Sequence, residues 1–178
     1  MKKTLVIFLL ILVFFVLFFL QSNFFTWFHI AGIMPNLFIV FVLWIGLFAG
    51  RTTGSLMGML FGLLLDIFLG TKVGMTGILL GIIGFAGGYL DKNFSKDSKI
   101  TIILMSVCAT FFFEIIKYIL MISFQASMEV EIGKLLAIVL VESIYHSILI
   151  IIFYPLLQKI GYRVEDIFQG SNVLTRYF

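Results

Sequence analysis

Charged side chains are scarce in this chain. They make up 12% of its 178 residues, about half the share found in an ordinary soluble domain. A chain so poor in charge cannot turn a polar face to water, which excludes a free-standing soluble enzyme. Cysteine is almost absent. Cys108 stands alone inside an apolar run, so no internal disulfide is available and the redox compartment cannot be read. The motifs of common catalysts are missing too. There is no phosphate-cradling P-loop, no His-Glu-x-x-His and no Gly-x-Ser-x-Gly. Glu142 and His146 are four residues apart but do not by themselves complete a metal site. No metal, cofactor or catalytic centre is expected, and no repeat or low-complexity linker divides the chain.

Apolar residues are abundant: 62% of the chain is hydrophobic, with a mean hydropathy of +1.19. That is the composition of an integral membrane protein. In a bilayer every backbone polar group must be satisfied within the protein, so the choice is helices or a closed barrel. Barrel strands alternate apolar and polar residues. The run "TLVIFLLILVFFVLFFL" is apolar on every face and reads as a helix. The expected fold class is therefore an all-α polytopic membrane protein with six transmembrane helices. They fall at about 4–21, 35–49, 54–70, 75–90, 100–122 and 134–157, in a single domain spanning 1–178. The first segment is too long for the core of a signal peptide and no small-x-small cleavage site follows it, so it reads as an uncleaved anchor. Pro35 suits a first helical turn, where its missing N–H is not needed. The second and third segments are short for a hydrocarbon core of about 30 Å; they are expected either to recruit flanking residues or to be shielded by neighbouring helices.

Lysine and arginine orient the spans. With the N-terminus in the cytoplasm, the inside holds Lys2, Lys3, Arg51, Lys92, Lys96, Lys99, Lys159, Arg163 and Arg176. The outside holds Lys72 and Lys134, while Lys117 lies within a helix. Both termini are therefore expected to be cytoplasmic. The outer loop 22–34 is uncharged and carries Trp27, as suits a segment near the outer headgroups. The loop 123–134, with Glu129 and Glu131, reads as solvated.

Glycine then falls at every fourth place, at Gly54, Gly58 and Gly62, and the next step lands on Asp66. Glycines four apart share a helical ridge and let a neighbouring backbone approach closely. The following segment has its own small-residue stripe at Gly77, Gly81, Gly84 and Gly88, and the short connector makes the two segments antiparallel neighbours. Asp66 has two readings: it caps the next helix or bonds the turn between them, or it faces a partner or ligand. Deeper in the bilayer, Glu114 and Lys117 share one face of the fifth segment, and Glu142 and His146 share one face of the sixth. The two faces lie at matching depth and are expected to meet. They form either a self-neutralised structural network or a proton path or polar ligand site.

Read more widely, the segment "PNLFIVFVLWIGLFAGRTTGSLMGMLFGLLLDIFLGTKVGMTGILLGIIGFAGGYL" resembles the rod shape-determining MreD family. Pro35, Gly50-Arg51 and the series Gly54, Gly58, Gly62, Asp66, Gly70 and Gly74 carry the resemblance, over about a third of the chain. Beyond residue 91 it rests on hydropathy alone, and no family role passes to Glu114, Lys117, Glu142 or His146. The resemblance implies a non-enzymatic scaffold in the bacterial cytoplasmic membrane that binds MreC and supports lateral peptidoglycan synthesis. Through MreC it implies indirect association with the glycosyltransferase RodA, a penicillin-binding transpeptidase and MreB filaments, and contact with membrane lipids but not nucleic acid. It also implies similarity to the S-component fold of energy-coupling-factor transporters. The alternative function is thus a vitamin-binding S-component, with a flippase or other lipid-handling enzyme as a third class. S-components resemble each other in an Ala-x-x-x-Ala face on the first helix. Here no alanine or glycine occurs between Lys3 and Gln21, which favours the scaffold.

Overall fold

The computed structural model describes residues 2–25, 27, 29–30, 32–70, 72–91, 96–124 and 132–170. Lys92, Glu129, Glu131 and Arg176 lie outside these described residues. The helices are α1 (Lys2–Phe19), α2 (Leu37–Ala49), α3 (Arg51–Phe68), α4 (Met75–Leu90), α5 (Lys99–Phe124) and α6 (Ile132–Phe168). A single π turn over Leu20–Phe24 extends α1. Three stretches, Lys2–Phe24, Lys99–Ser123 and Ile132–Phe168, are long and apolar enough to cross a membrane; α2 and α4 are shorter apolar helices.

α2 is short because it is internal. α2 has 13 residues, about 20 Å at 1.5 Å per residue. It is apolar all round and buried on nearly every face, the pattern of a helix enclosed by others. α1, α3, α4, α5 and α6 supply the enclosure. Fully buried Phe14, Phe38 and Phe61 bring α1, α2 and α3 together. The Phe14 ring lies 5.2 Å from that of Phe38 and 4.9 Å from that of Phe61, distances typical of favourable aromatic pairs.

Of the boundaries that differ from the sequence reading, among them the start of α3 at Arg51 instead of 54, two bear on the fold. Pro35 does not enter the first turn of α2. It precedes Asn36, the residue that opens the helix. Leu37 N–H instead donates to Gln21 Oε1 at 3.1 Å, so the end of α1 caps the start of α2 and no proline is required there. The second difference is larger. α6 runs on past 157 to Phe168, carrying Pro155 inside it. The added turns are polar on one face only. Gly161 and Val164 are buried while Lys159 and Arg163 are exposed, and a Cβ on Gly161 would lie 2.6 Å from the Phe48 ring.

A buried polar layer secures this extension. Lys96 is 2% exposed, although its place in a connector suggests a solvated loop charge. Its ammonium lies 2.8 Å from Asp91 and 2.7 Å from Glu165, and 4.9 Å from the centre of the Phe48 ring. Gln158 donates to the Lys96 carbonyl at 3.1 Å, and the Tyr154 and Tyr162 hydroxyls both bond Asp97. Trp44 of α2 donates to the Leu157 carbonyl at 3.0 Å. The connector after α4, the end of α2 and the last turns of α6 are thereby joined at the end of the molecule expected to face the cytoplasm.

Candidate functional site

Gly50 is the only residue between α2 and α3, and its φ of +89° is one that residues with a side chain rarely adopt. The chain reverses there, so residues equidistant from Gly50 meet. A Cβ built on Gly54 would lie 2.5 Å from the Gly46 Cα. α4 enters the same junction: a Cβ on Gly87 would lie 2.7 Å from the Leu43 carbonyl, and Gly84 meets the Gly54 carbonyl. Further along, a Cβ on Gly58 would lie 2.7 Å from the Leu80 carbonyl carbon, and one on Gly62 would lie 2.5 Å from the Gly77 Cα. Every one of these contacts is with backbone, which cannot swing aside. The result is a three-helix contact of α2, α3 and α4 in which main chain lies against main chain.

The sequence expectation paired the α3 stripe with α4 alone. The structure adds α2, through Gly46. One signal was available: Gly46 and Gly50 extend the four-residue spacing backwards from Gly54. Gly70 and Gly74 continue the spacing forwards but serve another purpose. Their φ values are +63° and +97°, and a Cβ on either would meet nothing within 4 Å. They shape the turn.

Asp66 lies between the packing glycines and the turning glycines, and its side chain is fully buried. Its Oδ2 accepts from Gly74 N–H at 2.9 Å and Thr76 N–H at 3.0 Å, with Gly77 N–H at 3.5 Å; Thr76 N–H also reaches Oδ1 at 3.3 Å. Gly74, the residue that opens α4, has no side chain to cap it. A helix start leaves its first N–H groups without intrahelical partners, and a carboxylate stabilises that end. Asp66 supplies the cap from the preceding helix. It thereby fixes the angle at which α3 and α4 diverge from the turn. At that tip Leu69 is 58% exposed and Val73 70% exposed.

The second group of residues is divided. Lys117 Nζ lies 3.4 Å from Glu114 Oε1, with the lysine side chain 38% exposed. His146 Nδ1 bonds the Thr110 hydroxyl at 2.7 Å, and Thr110 also reaches the Ser106 carbonyl at 2.9 Å. Glu142 lies within electrostatic reach of Glu114 and Lys117, but its buried Oε2 has no hydrogen-bond partner among the described residues. α5 and α6 therefore touch through Thr110 and His146. Sequence reasoning missed Thr110, which lies four residues before Glu114 and so shares its face. Among the described residues no group of three His, Cys, Asp or Glu is placed to hold a metal ion.

Removing one member of the Glu114–Lys117 pair leaves its partner uncompensated. Lys117→Met is expected to destabilise by about 1–3 kcal/mol, more than the double change Glu114→Gln with Lys117→Met. Thermal unfolding in detergent measures both. Losses that simply add would show that the two groups do not interact.

Neither a curated protein nor a solved structure matches the chain. A family model described as rod shape-determining protein MreD does match, over residues 1–162. That span includes the three-helix junction, the Asp66 cap and the Thr110–His146 contact, and the chain belongs to the MreD family, with a role in rod shape determination.

Proposed function

We propose that the protein is a non-enzymatic scaffold of the cell-elongation machinery in the bacterial cytoplasmic membrane. On this reading six helices cross the membrane, with both termini in the cytoplasm and the α3–α4 turn outside. The protein binds MreC, and through MreC it associates with RodA, a penicillin-binding transpeptidase and MreB and supports lateral peptidoglycan synthesis. One observation carries this reading. The α3–α4 hairpin is held rigid by backbone-to-backbone packing and by the Asp66 cap, yet it ends in exposed Leu69 and Val73. A rigid element ending in unpartnered apolar side chains suits recognition of another protein. The buried groups fit a mechanical role, since Asp66 is engaged by N–H donors of the turn and of the start of α4. The glycine stripe ending in aspartate also supports kinship with the S-component fold, while the bulky first helix argues against the S-component function.

Affinity purification of the tagged full chain from its native membrane tests the proposal. MreC is expected among the co-purifying proteins. Recovery of transporter subunits with an ATPase, and no MreC, would favour the vitamin-transport reading instead.

A further inference from the structure

Of the cations at the end expected to face the cytoplasm that have no carboxylate partner among the described residues, two share a cavity. They are Lys3, at the start of α1, and Arg51, at the corner between α2 and α3. Both line one cavity of about 330 Å³, together with Thr52, Thr53 and Gln169. Asp91 is on its wall too, and it shares the Lys96 ammonium with Glu165 at 2.8 and 2.7 Å, so three cations, Lys3, Arg51 and Lys96, stand against two carboxylates. The cavity therefore carries uncompensated positive charge. Its size lies within the range of about 300–1,000 Å³ usual for small-ligand sites. Lys3 lies 5.9 Å from the centre of the Phe168 ring, so the end of α6 forms part of the enclosure. Four and seven residues after Thr52, and so on its face of α3, Leu56 and Met59 are exposed at 62% and 43%. The positively charged cavity is thus continuous with an exposed apolar face of α3.

We propose that this cavity holds the phosphate of an anionic phospholipid. Lys3 and Arg51 provide the charge, Thr52 and Thr53 provide hydroxyl donors, and the acyl chains lie along the exposed face of α3. Free phosphate shares the headgroup chemistry but cannot use the apolar face, so the lipid is the occupant the surface favours. The site rests on the membrane reading of the chain and does not depend on MreC binding.

Native mass spectrometry of the full chain in mild detergent, with equal phosphatidylglycerol and phosphatidylcholine, tests it. The protein is expected to retain phosphatidylglycerol preferentially. Arg51→Gln and Lys3→Gln should each reduce that retention about fivefold, and Arg51→Lys should preserve most of it. Lys159→Gln and Arg163→Gln remove exposed cations that do not line the cavity, and should leave it unchanged. Equal retention of the two lipids would overturn the proposal. So would equal losses in all four glutamine variants, which would indicate diffuse attraction to the surface. Thermal stabilisation by inorganic phosphate as large as that by phosphatidylglycerol would overturn the lipid assignment.

Discussion

Gly54→Leu is expected to stop the protein from accumulating in the membrane as a folded species. Position 54 faces backbone on two sides, the Gly46 Cα of α2 and the Gly84 carbonyl of α4. Overpacking a core costs about 1–3 kcal/mol when side chains can adjust. Here the obstacles are main chain, so two helices must separate and the cost exceeds that range. Even Gly54→Ala brings a Cβ to 2.5 Å from the Gly46 Cα, closer than carbon atoms tolerate, and should lower the unfolding temperature measurably. Gly133→Ala is the control. A Cβ there meets nothing within 4 Å, and exchanging glycine for alanine in a helix is favourable by about 0.5–1 kcal/mol. Thermal unfolding of the three variants in detergent, followed by circular dichroism, gives the comparison. An unfolding temperature for Gly54→Leu equal to that of the wild type would show that the three helices do not meet at this residue.

Asp66→Leu is the second large effect. It removes the acceptor for Gly74, Thr76 and Gly77 N–H groups, at a position with no access to solvent. Losing a helix cap costs about 0.5–2 kcal/mol, and each buried donor left unsatisfied adds about 1–3 kcal/mol. A loss of roughly 3 kcal/mol or more is expected. Asp66→Asn keeps the shape and one acceptor oxygen. That oxygen can still serve the two shorter bonds, so a loss of about 1 kcal/mol is expected. Unfolding temperatures in detergent should rank wild type, Asn and Leu in that order.

The sequence displayed some of these relationships openly and hid others. All-α class, helix order and the antiparallel pairing of α3 with α4 follow from apolar runs, a short connector and glycine spacing, all of them local signals. The role of Asp66 toward the turn was one of two readings that its position allowed. What stayed hidden depends on partners distant in sequence. Gly46 looks like an isolated glycine in an apolar run until the Gly50 corner brings it onto Gly54. Lys96 reads as a loop charge because nothing local reveals that Asp91 and Glu165 converge on it. The polar residues after 157 resemble a solvated tail, yet Tyr162 and Glu165 are held against the Lys96–Asp97 connector, and α6 continues through them. Thr110 carries no charge and drew no notice between the ionisable residues, although it makes the contact with His146.

The central claim is that the capped hairpin presents the surface that MreC recognises. Co-purification of MreC with tagged wild type, Asp66→Asn and Asp66→Leu, each normalised to the amount inserted in the membrane, tests it most directly. The account predicts that Asp66→Asn retains most of the MreC while Asp66→Leu loses most of it although the protein still inserts. MreC recovery unchanged in Asp66→Leu, or abolished as fully in Asp66→Asn as in Asp66→Leu, would contradict it.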